Sequence, residues 1–313
     1  MELLVQRIFD SLGNGAIYAS MAVAFTLVFR SSGFLNFAQG EMAMFSTYLV
    51  LLLSSPPSSF LRGSSISSIV PGTPLPVWAA LVVTIPVSML LGALVERVLI
   101  RPVGERDGAA VVSVTFGFLL LLHVIAVSTW SGFGRTIPSL FPTEIGDWVT
   151  VGTARLRYDT IGTWMLLGGV LGSVYLYLRF TRSGLAFRSI ASNRESAELC
   201  GIRVGAQLMI GWAIAAGIGS IAGTVVASTS RLSPNLMGGI LVFSLAGATL
   251  GGLDSPAGAA VGGLVMAVTQ TMLSGYIDFV TGDIGVVVAS AVLLVVLIFR
   301  PQGLFGRTRS ARA

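Results

Sequence analysis

Lysine is absent from this 313-residue chain, and all 19 basic side chains are arginine. A Walker A loop needs its lysine to reach the phosphates, so the chain carries no ATP site of that kind. Schiff-base catalysis and the SxxK nucleophile are excluded on the same ground. Codon bias in a GC-rich genome is the plain explanation of the missing residue. Cysteine and histidine are nearly absent too. A lone Cys200 permits no internal disulfide, and a lone His123 permits neither an HExxH motif nor a multi-histidine metal site. Charge is scarce at 11% of residues, against roughly a quarter in soluble domains.

What fills the chain is apolar: 54% of residues are hydrophobic and the mean hydropathy is +0.86. Such a chain belongs in a lipid bilayer. No polar tract is long enough to fold alone, so residues 1–313 read as a single transmembrane domain. The opening MELLVQRIFD mixes acid and base and runs straight into a long apolar segment, unlike a cleaved signal peptide.

A membrane span takes about 20 apolar residues. Candidate segments lie near 11–29, 34–53, 76–96, 110–130, 161–179, 206–228, 237–252, 257–275 and 284–300. The second and seventh are short and fit broken or re-entrant helices. The fold class is therefore all-α, a polytopic membrane protein with about eight or nine transmembrane or re-entrant segments.

Arginine collects in cytoplasmic loops. Arg97, Arg101 and Arg106 share one loop, Arg179, Arg182, Arg188, Arg194 and Arg203 sit in or beside another, and Arg300, Arg307, Arg309 and Arg312 fill the tail. All three are assigned to the cytoplasm, which puts 54–75 and 131–160 outside. The latter balances Arg135, Arg155 and Arg157 against Glu144, Asp147 and Asp159, as an ordered external loop would. Glycines repeat at four in Gly168/Gly172, Gly219/Gly223, Gly247/Gly251 and Gly258/Gly262, a spacing that lets helices approach closely in lipid. Packing within the chain accounts for these pairs, with dimerisation through one of them left open.

The stretch NFAQGE, from Asn36 to Glu41, does not suit an ordinary span. An acid near the centre of a span costs roughly 2.5–3.5 kcal/mol on insertion scales. Gly33 and Gly40 weaken a helix there, and only about a dozen apolar residues follow Glu41. One placement has the chain enter as irregular backbone and start a helix near Glu41, whose charge then complements the helix dipole. Such backbone survives at depth only inside protein or beside a water-filled cavity, which makes Asn36, Gln39 and Glu41 candidates to line a transport path. The other placement has all three capping a helix at the cytoplasmic interface. Asn14, between Gly13 and Gly15, is a further candidate, for the path or for a bond across helices. His123 reads as a neutral side chain hydrogen-bonded to a neighbouring helix.

Within the cytoplasmic segment 181–205, SNRE fits a capping box, with Ser192 as N-cap and Glu195 reaching back. Gly201 suits the residue that ends a helix. The spacing predicts a short helix over 193–200 on which Glu195 and Leu199 share one face and Arg194 and Glu198 another.

Three stretches carry a resemblance to a known family. GAIYASMAVAFTLVFRSSGFLNFAQGE resembles the N-terminal signature of the H-type permease subunit of branched-chain amino-acid ABC importers; RSGLAFRSIASNRESAELCGI is similar to that family's coupling segment, and RPQGLFG to its C-terminal ending. The likeness runs over essentially the whole chain. It implies a permease in the bacterial inner membrane, distantly like the vitamin B12 importer type. Its partners would be a second related permease, two cytoplasmic ATPases that bind ATP and Mg, an extracytoplasmic substrate-binding protein and the surrounding lipid, with no nucleic acid and no cofactor in this chain. It implies that Asn36, Gln39 and Glu41 are signature residues and that Arg194, Glu195, Ala197, Glu198 and Gly201 contact an ATPase. Urea and short-chain amide importers share the family, so they stand as the alternative substrates. An ion-coupled secondary transporter would also explain broken helices, but it would not need the capped cytoplasmic helix. No GxSxG, HExxH or paired intramembrane carboxylates point to an enzyme.

Overall fold

The computed structural model describes residues 2–55, 73–104, 108–130, 134–141, 148–151, 154–276, 283–299 and 303–305. Their helices are α1 (Glu2–Ser32), α2 (Gln39–Ser54), α3 (Val77–Val95), α4 (Arg101–Gly104), α5 (Gly108–Trp130), α6 (Tyr158–Phe180), α7 (Arg182–Ser192), α8 (Arg194–Leu199), α9 (Val204–Thr229), α10 (Leu236–Gly251), α11 (Pro256–Tyr276) and α12 (Asp283–Phe299). A π-helical turn, Glu96–Ile100, joins α3 to α4. Each expected segment is one helix, so the chain is an all-α polytopic membrane protein. Among the described residues six helices are long and apolar enough to cross a bilayer. The two expected to be short are short: α2 and α10 have 16 residues each, about 24 Å of helix against a hydrocarbon core of about 30 Å.

α1 and α9 form the centre. In their most apolar stretches 78% and 83% of residues are buried, against 22% in α5 and α6, which face outward. Small residues make this possible, because in lipid the attraction between helices is close packing. α10 and α11 cross where Gly247 and Gly251 meet Gly258, Gly262 and Gly263, and a Cβ on Gly251 would collide with the Gly258 carbonyl. On α9, Gly219 and Gly223 lie against Gln39, Ala43 and Thr47 of α2. Three of the four glycine pairs thus pack within the subunit. Gly168 and Gly172 on α6 face open space.

Gln6 exchanges hydrogen bonds with the Arg155 backbone, accepting from its N–H at 2.9 Å and donating to its carbonyl at 3.2 Å. The start of α1 therefore lies beside the described end of the 131–160 segment. Part of that segment is an antiparallel hairpin, β1 (Trp148–Val151) with β2 (Ala154–Arg157), with the Arg155 guanidinium 4.8 Å above the Trp148 ring. The loop pattern gave no sign of strands. Glu144, Asp147, Arg106, most of 54–75 and the arginines of the tail lie outside the described residues.

Residues 303–305 of the RPQGLFG ending close the end of α10. Leu304 and Phe305 donate their backbone N–H groups to the carbonyls of Leu250 and Gly251, at 2.8 and 3.1 Å. These are terminal carbonyls of α10 that the helix cannot satisfy itself.

Candidate functional site

Gly33, at φ +80°, ends α1, and residues 34–38 then run without regular structure. Asn36 organises the turn: its Oδ1 accepts from the Ala38 N–H at 3.1 Å and its carbonyl accepts from the Gln39 N–H at 3.2 Å. Such a local bond lets an asparagine stand in for a backbone turn. α2 therefore starts at Gln39, two residues before the expected position. Asn36 Nδ2 donates to Gln39 Oε1 at 3.3 Å, and Gln39 Nε2 donates to the Ala215 carbonyl of α9 at 2.8 Å. Ala215 lies eleven residues into α9, about 16 Å from its N-terminal end. The break before α2 thus packs against the middle of a helix long and apolar enough to cross a bilayer. It is enclosed by protein: Phe37 meets Phe116 of α5, and Gly40 lies against Met237 and Leu241 of α10.

Asn36 and Gln39 are buried and joined to each other, whereas Glu41 leaves on another face of α2. Its Oε1 is 3.4 Å from His123 Nδ1 on α5, with the two side chains 10% and 31% exposed. Oε2 of Glu41 has no protein partner. One turn further on, Ser46 donates to Ser88 of α3 at 2.8 Å, and Ser88 donates to the Ala216 carbonyl at 2.9 Å. Tyr48, whose buried hydroxyl also lacks a protein partner, stacks on Trp130 at 4.6 Å. Asn14 does not join this seam; it is exposed on α1.

Sequence reasoning missed the His123–Glu41 and Ser46–Ser88 contacts. Each partner sits alone in its own segment, and nothing local announces a contact across helices. Signals existed only in that an acid and an imidazole inside apolar helices each need a partner.

α7 and α8 form an elbow before α9. Thr181 caps α7 by accepting from the Gly184 N–H at 3.0 Å. The expected cap of the next helix was Ser192, but α7 runs through that residue. Asn193 is the N-cap of α8 instead, accepting from the Ser196 N–H at 3.0 Å. No capping box forms around Ser192, because its backbone is helical and an N-cap residue must not be. The far end is as expected. Gly201 adopts φ +82°, its N–H bonds the Glu198 carbonyl at 2.9 Å, and the Ile202 N–H bonds the Ala197 carbonyl at 3.1 Å. This is the paired closure that a left-handed glycine permits.

Arg194 and Glu198 pair at 3.5 Å on the exposed face, beside Glu195. Leu199 is 89% exposed. Ala197, expected to touch a partner, is instead buried with Ile190, Val204 and Leu208. It anchors α8 to the elbow and presents nothing outward.

A sequence model for the permease component of branched-chain amino acid transport systems matches residues 7–298. The chain belongs to that family. It is similar to the high-affinity branched-chain amino acid transport system permease protein LivH of Escherichia coli K12, 28% identical over 97% of this chain and 96% of the relative. BraD of Pseudomonas aeruginosa, named as a permease of the same transport system, is 26% identical over the same shares. A probable branched-chain amino acid transport permease of Methanocaldococcus jannaschii is 22% identical over 94% of this chain and 91% of its own length. No solved structure gives a significant match. As a member of this permease family the chain is a transport subunit, multi-pass in the cell membrane.

Proposed function

We propose that this permease supplies half of the pathway of an ATP-driven importer for branched-chain amino acids or related small polar solutes. The observation that carries the reading is the elbow: a doubly capped helix that presents Arg194, Glu195, Glu198 and Leu199 away from the membrane core. A partner that binds there moves α9 directly, because Gly201 and Ile202 close α8 immediately before α9 begins. The partners of this reading are a second related permease, two ATPases that bind ATP and Mg, and an extracytoplasmic binding protein. Moving a two-state equilibrium from 1:99 to 99:1 takes about 5.5 kcal/mol of differential binding, which paired nucleotide sites can supply.

In this reading Asn14, Asn36, Gln39 and Glu41 border the path at different stages of the cycle. Glu41 is the group suited to a substrate ammonium, since its buried Oε2 has lone pairs that no protein group donates to. Arg194, Glu195 and Glu198 meet an ATPase, while Ala197 and Gly201 set the shape of α8. Replacing Glu198 with Arg should detach an ATPase, read by co-purification; retention of both ATPases would refute the interface. Replacing Glu41 with Gln should lower uptake and leave assembly and basal ATP hydrolysis intact; unchanged uptake removes Glu41 from the path. Thermal-shift screening of the associated binding protein against aliphatic amino acids, urea and short amides decides the substrate.

A further inference from the structure

The elbow is tied to the membrane core by more than its chain connections. α3 ends in the wide turn Glu96–Ile100, where Glu96 is only 1% exposed. Arg101 grips Glu96 with two bonds, Nε to Oε1 at 3.2 Å and Nη2 to Oε2 at 2.8 Å. Nη2 also donates to the Gly205 carbonyl at 2.6 Å, in the first turn of α9. Gly205 leaves room for this approach, because a Cβ there would lie 2.8 Å from Arg101 Cζ. Arg194, the first residue of α8, lines the same small cavity as Glu96, Arg101 and Trp212.

A buried ion pair is a poor way to gain stability alone, since apolar side chains of similar volume do as well or better. Its distinctive property is direction: a bidentate arginine fixes the distance and angle between the groups it joins. Here it joins the end of α3 to the start of α9, at a cavity that the first residue of the lever also lines. π-helical turns inside helices occur frequently at functional sites.

We propose that Glu96 and Arg101 are positioning residues that form a strut, carrying displacement of the α8–α9 elbow into α3, with Gly205 as its seat. The strut rests on the reading of α8 as the ATPase-driven lever. Arg194 bears on the same joint, so its exchange between Glu198 and Glu96 is one way for the lever's position to reach α3.

The test uses the complete complex of both permeases, the ATPases and the binding protein in proteoliposomes. ATP hydrolysis and uptake of L-leucine are measured together for wild type, Glu96→Gln, Arg101→Lys and Gly205→Ala. A strut splits the two readouts: basal hydrolysis stays within two-fold while uptake per ATP falls by about ten-fold, inside the usual range for coupling between sites. A purely structural pair lowers yield, hydrolysis and uptake together. Gly205→Ala displaces Arg101 without changing any charge and should reproduce the split, so the test survives if Glu96→Gln fails to assemble. Uptake per ATP within two-fold of wild type in Arg101→Lys and Gly205→Ala would overturn the strut while leaving the importer reading intact. Absence of ATP-dependent uptake of any aliphatic amino acid, urea or amide by the wild-type complex would overturn both.

Discussion

Two asparagines open two helices in this permease, and their settings are opposite. Asn36 is fully buried, and it bonds Gln39 and the Ala38 N–H. Asn193 is exposed on the elbow and caps the Ser196 N–H. Both sites place a glutamate in the first turn of the helix that follows, Glu41 in α2 and Glu195 in α8. Around Asn36 the polar side chains are buried and bonded mostly within the protein. In the elbow the same residue types lie exposed. Similar local chemistry thus yields a buried seam in one place and an exposed face in the other, and burial decides which.

The sharpest way to break the comparison is steric. Gly223→Val puts a side chain where a Cβ already comes within 2.5 Å of Thr47 Oγ1. It should pry α9 from α2 and destabilise the subunit by about 3 kcal/mol, seen as loss of the monodisperse peak in detergent. A smaller effect is expected for Gln39→Leu, which removes the link from Asn36 Nδ2 to the Ala215 carbonyl and leaves that buried Nδ2 only Met42 Sδ, and should cost about 2 kcal/mol. Hydrogen exchange should rise in α2 and mid-α9 and stay unchanged in the elbow. Asn193→Ala is the mirror experiment. Loss of the cap should cost about 1 kcal/mol, with faster exchange confined to 194–202. Faster exchange in α2 as well would mean that the two regions are not independent. The smallest effect on stability belongs to Leu199→Asp. At 89% exposure the change should leave melting unaltered, yet it should abolish ATPase co-purification.

The helices were legible in the sequence because lipid allows few alternatives: every backbone polar group must be satisfied within the segment, so apolar runs and helices coincide. The break before α2 was legible for the same reason, since Gly33, Asn36 and Glu41 could not all sit in an ordinary span. Gly201 announced its left-handed turn. What stayed hidden is what depends on distance in space. His123 and Glu41 are 82 residues apart, and Ser46 and Ser88 are 42 apart. The placement of the cap at Asn193 was missed because Ser192 and Asn193 are both good caps. Only the continuation of α7 through Ser192 selects between them. Ala197 was read outward from its neighbours, but a six-residue helix has one inward position to anchor it, and Ala197 fills it.

The central claim is that this chain is a passive half-channel moved from outside through its elbow. Reconstitution tests it directly, by measuring uphill solute accumulation in liposomes that hold the chain with its ATPases, second permease and binding protein, or the chain alone. The account predicts ATP-dependent accumulation only for the complete assembly. Uphill accumulation by the purified chain without any nucleotide hydrolase would contradict it.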